Sequence, residues 1–255
     1  MNTKKILIPA AFLALGLCVR HPVWAAIDTE APLDSAAEEE APEAQVPPAA
    51  LILDPGHGGN DLGAVVGGRR EKDIALSISR RLKARLEARG AGPVRMTRDS
   101  DSFVPLDERV DDSLEWSGRV FVSLHLNQVR AKRLQGITVY AFGKEHFKSA
   151  GKSASKRRHH RKAEPLPAPP QELARASARL ADSIVDSLRH QGFRVDPPAK
   201  AGFYVLKNPG IPSVLIELGY LSNPQEAARL NDPAYQDKLA EALASSLQPC
   251  LAKLP

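Results

Sequence analysis

A chain of 255 residues supports one sizeable core, and only one once its ends are set aside. It has two cysteines, and Cys18 lies in an N-terminal apolar stretch, so Cys250 stands alone in the remainder and no intramolecular disulfide can form there. The net charge of +5 is spread unevenly, which suits either plain solubility or a polyanionic partner: a wall polymer, a membrane surface or nucleic acid.

Residues 1–26 read as a secretory signal. Lys4 and Lys5 form the basic start, "ILIPAAFLALGLCV" (6–19) the apolar run and "VWA" (23–25) a small-residue cleavage site. The run is too short to span a membrane comfortably, so no transmembrane segment is expected after cleavage. Leu17 stands where lipid attachment at Cys18 would want a small residue. Losing Lys4, Lys5 and Arg20 lowers the +5 to +2. Residues 27–50, rich in Ala, Pro and Glu, show no periodicity and read as a disordered acidic linker. Its seven acids, with no base over 27–48, leave +9 on residues 49–255.

From residue 51 strands and helices alternate. "LILD" (51–54) is a continuous apolar strand. "EKDIALSISRRLKARLEARG" (71–90) follows as a helix, with Ile74, Ile78, Leu82 and Leu86 on one face and Gly90 stopping it. "PVRMTRD" (93–99) reads as a second strand, and "PLDERVDDSLEWSG" (105–118) sets Leu106, Val110 and Leu114 at helical spacing. "RVFVSLHLN" (119–127) is a further buried strand. "GITVYAF" (136–142) alternates as an edge or second-sheet strand would.

Residues 143–170 interrupt the pattern. Eight Lys or Arg face only Glu145 and Glu164 over 144–164, and "PLPAPPQ" leads out, so this is a basic, solvated insertion. "QELARASARLADSIVDSLRHQG" (171–192) is a helix with Leu173, Leu180, Ile184 and Leu188 inward. "GFYVLK" (202–207) and "PSVLIELG" (212–219) read as strands. "NPQEAARL" (223–230) opens with an Asn cap and a Pro at the first helical position, and "PAYQDKLAEALASSLQ" (233–248) is the last helix. The order predicts an α/β fold: a single three-layer domain with a mixed, mostly parallel sheet flanked by helices.

In such sheets chemistry collects beyond the carboxyl ends of the strands. "LILD" leads to His57, "VFVSL" to His125 and "SVLI" to Glu217, while the loop after the first strand delivers Glu71 at a helix start. If the strands are parallel neighbours, two imidazoles and two carboxylates converge, a donor set that suits a catalytic zinc with three protein ligands. Each residue also has a plain explanation. A strand-end histidine often only completes a core hydrogen bond, and Glu71 favours the helix dipole in any case. Glu217, between Ile216 and Leu218, is harder to dismiss, because a carboxylate in an apolar strand needs a partner or a raised pKa. His159 and His160 sit among cations that oppose a divalent ion, and His146 and His190 lack convergent acids.

"LDPGHGGND", "EKDIALSISRRLK", "MTRDSD", "SLHLN" and "LIELGYLSNPQEAARL", in that order over about residues 50–251, resemble the zinc-dependent N-acetylmuramoyl-L-alanine amidases of the bacterial cell wall. The resemblance implies Zn2+ as cofactor and peptidoglycan, not nucleic acid, as partner. The bond cut would be the amide between the lactyl group of N-acetylmuramic acid and L-alanine. By motif, His57, Glu71 and His125 match the family's zinc ligands and Glu217 its catalytic glutamate. The implied compartment is outside the cytoplasm, the periplasm foremost. Leu126 departs from the Ala common in relatives; a larger side chain there could narrow the groove beside the metal, though it leaves all ligands present. The insertion is shorter than the autoinhibitory ones of some division-associated members, which leaves regulation by an activator protein open. Two rivals stay open: a non-catalytic wall-binding protein, and a zinc peptidase acting within the stem peptide.

Overall fold

The computed structural model describes residues 50–143 and 165–252. The expected leader, all of the expected linker but Ala50, and residues 144–164 of the basic insertion lie outside the described residues, and with them His146, His159 and His160. The chain runs β1 (Leu51–Pro55), β2 (Val65–Val66), β3 (Arg69–Arg70), α1 (Glu71–Ala88), β4 (Val94–Met96), α2 (Leu106–Glu115), β5 (Phe121–Asn127) and β6 (Thr138–Phe142). It continues with α3 (Gln171–His190), β7 (Ala199–Ala201), a 3-10 turn (Tyr204–Lys207), β8 (Ser213–Tyr220), α4 (Pro224–Leu230) and α5 (Pro233–Ala252). No helix among the described residues is long and apolar enough to cross a membrane.

Six strands form one sheet in the order β4-β1-β5-β8-β6-β7. The first four run parallel, β6 is antiparallel to β8, and β7 is parallel to β6. β1 is buried along its whole length, as its unbroken apolar run requires of a strand covered on both faces. Because successive side chains alternate, Leu51, Leu53, Val122, Leu124, Val214 and Ile216 share one core cluster with residues of α1, α3 and α5. Ile52, Phe121, Tyr140 and Leu215 turn the other way and pack with Val205 and Leu206 of the 3-10 turn and with Trp116 after α2. Each fully buried Leu, Ile or Phe contributes roughly 1.5–3 kcal/mol before entropy is set against it. Three layers result, and the second covering layer is the thinner one.

α1 buries Ile74, Ile78, Leu82 and Leu86, and ends as its sequence predicts. Gly90, at φ +67°, donates to Glu87 O, while Ala91 donates to Leu86 O, a Schellman stop. The cap of α4 also forms, with the Asn223 side chain accepting from the N–H groups of Gln225 and Glu226 ahead of Pro224.

Four expectations need correction. β6 is not an edge or a second-sheet strand; it lies between β8 and β7, and its partly polar face is the thin one, where Thr138 donates to Asp196. "GFYVLK" is not a strand. Its adjacent Val205 and Leu206 are both buried, which suits a helical turn, and the pairing strand is the preceding Ala199–Ala201. α2 is rotated from the face read in the sequence, so Arg109, Val110 and Ser113 are buried while Leu106 and Leu114 are 48% and 38% exposed. α5 continues through Pro249 to Ala252, held by the burial of Leu251.

Candidate metal centre

The strand alternation that builds the core also places the site. Counting by two from Ile52, Phe121 and Leu215 puts Asp54, Ser123, His125 and Glu217 on the thinly covered face. β5 and β8 are in parallel register with His125 opposite Glu217, so the two residues are neighbours across one inter-strand step of about 4.8 Å.

His57 leaves β1 on a tightly held hinge. Its own backbone has φ +60°, a left-handed conformation uncommon outside glycine. Three buried cations hold that conformation. Arg98 donates to the carbonyls of Pro55 and Gly56 at 2.9 and 2.7 Å; Arg109 donates to those of Pro55 and His57 at 2.9 and 2.8 Å. Lys72 donates to Gly59 O and to the Asp101 carboxylate, which in turn accepts from Gly59 N. Beneath them Asp54, 1% exposed, accepts from Arg109 at 2.5 Å and from Thr97 and Ser123 at 2.7 Å each. Burial alone would raise the Asp54 pKa, but the Arg109 charge and these hydrogen bonds hold it below the ordinary value.

Two glycines act by close approach. A Cβ on Gly56 would stand 2.4 Å from the His125 ring, and one on Gly63 2.5 Å from Glu71 Oε2 and 2.6 Å from His57 Cδ2. The bare hinge thus lets the backbone nest against the site's own side chains.

Glu71, the first residue of α1, is the hub. Its Oε1 lies 3.1 Å from His57 Nε2 and 3.0 Å from His125 Nδ1, and it accepts the Leu126 N–H; Oε2 accepts the Ala64 N–H. Burial opposes its charge, yet the two histidines hold its carboxyl well below the usual range. Desolvation would lower the His57 pKa, but hydrogen bonds to Asp61 and Glu71 push it up to about 10. One ligand atom from each of His57, Glu71 and His125 lies within 4.8 Å of the other two, close enough to share one cation. The donor set therefore fits a divalent metal of the zinc type: two imidazole nitrogens and a carboxylate.

Glu217 lies beside this group. Burial and the negative charge of Glu71 push its pKa up to about 8, and its buried Oε2 makes no hydrogen bond within the described residues. A buried carboxylate oxygen with no partner among the described residues is open to something that enters the site.

Residues 51–249 match the Amidase_3 family, described as N-acetylmuramoyl-L-alanine amidase. The chain belongs to that family. Among related amidases, AmiC of Escherichia coli O6:H1 is 32% identical over 224 residues, covering 79% of this chain and 52% of its own length. The chain therefore spans about half the length of that relative. The solved structure of the amidase AmiC2 of Nostoc punctiforme superposes with a TM-score of 0.64 at 30% identity, over 80% of this chain and 97% of that one. The CwlD amidase from Clostridioides difficile, solved in complex with the GerS lipoprotein, gives 0.58 at 28% identity, over 79% and 98%.

Within this amidase fold all four residues singled out in the sequence come to one place, and His190 stays outside it, its Nδ1 bonded to Asp186 O on an exposed helix end. The expectation for Leu126 is overturned. Its side chain is 2% exposed within the core beneath α1, on the opposite sheet face from His125, so it cannot narrow the groove. Sequence reasoning missed Asp54, Asp61, Lys72, Arg98 and Arg109. Asp54 carried the same signal as Glu217, a carboxylate closing an apolar strand, and Asp61 stood four residues beyond His57.

Proposed function

We propose that this protein is a zinc-dependent peptidoglycan amidase that hydrolyses the amide between the lactyl group of N-acetylmuramic acid and L-alanine of the stem peptide. The carrying observation is the cluster of His57, Glu71 and His125, with Glu217 on the next strand, whose buried Oε2 makes no hydrogen bond among the described residues. The names of the relatives, N-acetylmuramoyl-L-alanine amidases among them, support the substrate class.

In this reading His57, Glu71 and His125 hold zinc. Zinc, when bound there, supplies Lewis acidity that activates water near neutral pH and polarises a carbonyl. Glu217 accepts a proton from the attacking water at its open oxygen. It then returns that proton to the departing alanine nitrogen, so that a neutral amine leaves. Its raised pKa suits a group that must take and give a proton in one turnover. The Arg98 and Arg109 clamps keep the His57 hinge in place while a polymer is drawn across the thin face of the sheet.

Residues 1–26 direct the chain out of the cytoplasm, to the periplasm, and 27–50 serve as an acidic tether. The basic insertion, 143–170, binds wall polymer or an activator; the CwlD amidase, solved in complex with the GerS lipoprotein, supports a protein partner for this fold. Digestion of purified peptidoglycan, with products identified by mass, tests the reading. Free stem peptides beginning with L-alanine are expected. Shortened stems would make the enzyme a peptidase, and undigested material with zinc bound would make it a binder.

A further inference from the structure

The mechanism above leaves one carboxylate at the site without a task. Asp61 Oδ2 lies 2.8 Å from His57 Nδ1, on the far side of the ring from Glu71. Three contacts fix its direction. Gly58 and Asp61 exchange backbone hydrogen bonds at 2.9 and 3.0 Å, closing a tight loop, and Asp61 Oδ1 accepts the Gly63 N–H at 3.2 Å. The aspartate is thus oriented by the same loop that carries the histidine, and His57 is held at its carbonyl by Arg109.

Both His57 nitrogens face a carboxylate, but a metal held on the Glu71 side takes the Nε2 lone pair, and the one proton of the neutral ring then belongs on Nδ1, where Asp61 accepts it. His125 differs, since it presents Nδ1 to the same Glu71 oxygen. Of the two rings, His57 is the one whose outward nitrogen has a charged acceptor among the described contacts.

We infer that Asp61 is the positioning residue of the metal centre: it fixes the His57 tautomer and ring angle so that Nε2 is the atom offered to zinc. The inference rests on the metal-centre reading above. A carboxylate behind a metal-binding histidine both orients the ring and raises the basicity of the ligating nitrogen, and its loss typically weakens metal binding about 10–100-fold.

The test uses the full mature protein and zinc alone. Affinities come from competition with a chelator for wild type, Asp61→Ala, Asp61→Asn and His125→Ala, and long-range 1H–15N spectra of the zinc-loaded forms report which His57 nitrogen carries the proton. Asp61→Ala is expected to bind zinc about 10–100-fold more weakly and to lose the single Nδ1–H signature, and a single cooperative metal-free thermal transition checks that the variant is folded. Asp61→Asn, whose carbonyl can still accept from Nδ1–H, is expected to keep the tautomer and recover much of the affinity. A mere counter-charge to a protonated His57 predicts the opposite sign, since removing it would ease loss of the proton and tighten zinc binding. Unchanged or tighter binding in Asp61→Ala, with wild type and His125→Ala differing as expected, overturns the inference alone. Wild type and His125→Ala binding zinc equally poorly would overturn the metal-centre reading, and the inference with it.

Discussion

Asp54→Asn is the sharpest test of how the site is supported. The substitution keeps the shape of the side chain and removes its charge beneath the His57 hinge. Asp54 and Arg109 are 1% and 3% exposed and in contact at 2.5 Å, so the change leaves a guanidinium buried without a counter-charge. The other bonds are recoverable. The retained carbonyl can face Arg109 and Thr97, and the new amide can donate to Ser123 Oγ, which can rotate to accept. The cost is therefore dominated by the stranded cation, about 3–5 kcal/mol when one partner of a buried pair is removed. At about 2–4 °C per kcal/mol for a domain of this size, the low end corresponds to a Tm lower by roughly 6–12 °C. Urea unfolding in the presence of a chelator, which removes any contribution from bound metal, measures the effect. The sign with pH is also fixed. The folded-state pKa of Asp54 lies below its unfolded value, so its stabilisation is present above the unfolded pKa and is lost as pH falls through the folded one. The variant should lose most stability at neutral pH and converge on wild type under acid. A cost below about 1 kcal/mol at pH 7, the range of an exposed ion pair, would refute the account of the hinge support.

Glu217→Gln should bind zinc as wild type does and lose activity about 10²–10⁴-fold, the usual contribution of a general acid–base; chelator competition and peptidoglycan turnover check the two halves, and near-normal turnover removes Glu217 from the mechanism. Gly63→Ala forces a Cβ to 2.5 Å from Glu71 Oε2 at a φ of +65°. It should weaken zinc binding and cost about 1–2 kcal/mol from the left-handed backbone alone, and unchanged zinc affinity would contradict the packing argument. Leu126→Ala should cost about 2–5 kcal/mol in denaturant unfolding as a core truncation while leaving kcat/KM unchanged; an altered kcat/KM with intact stability would return Leu126 to the groove.

Much of this was legible in the sequence because the strands at the centre of the sheet are continuous apolar runs, each ending in a residue out of keeping with it. His57, His125 and Glu217 stood out for that reason, and parallel pairing of β1, β5 and β8 brings them together. Glu71 was legible as a helix start, but its role as hub depends on two histidines that reach it from 14 and 54 residues away. What stayed hidden was polar and long-range. Arg109 lies off the Leu106–Val110–Leu114 stripe, and its partners, Asp54 55 residues away and the Pro55 and His57 carbonyls, turn it inward and leave Leu106 and Leu114 outside. "GFYVLK" failed differently: a short apolar run carries no period with which to tell a strand from a turn of helix. Leu126 departs from the family's Ala next to a ligand, but adjacent strand residues face opposite ways, so closeness in sequence to His125 does not put it at the site.

The central claim is that His57, Glu71 and His125 grip one divalent ion. A crystal structure of the zinc-loaded protein, with anomalous data on either side of the zinc absorption edge, tests it most directly. The account predicts a single strong peak at about 2.0–2.2 Å from one nitrogen of each histidine and a Glu71 oxygen, with Glu217 close by but not bound. A peak at other residues, or none at these three, would contradict it.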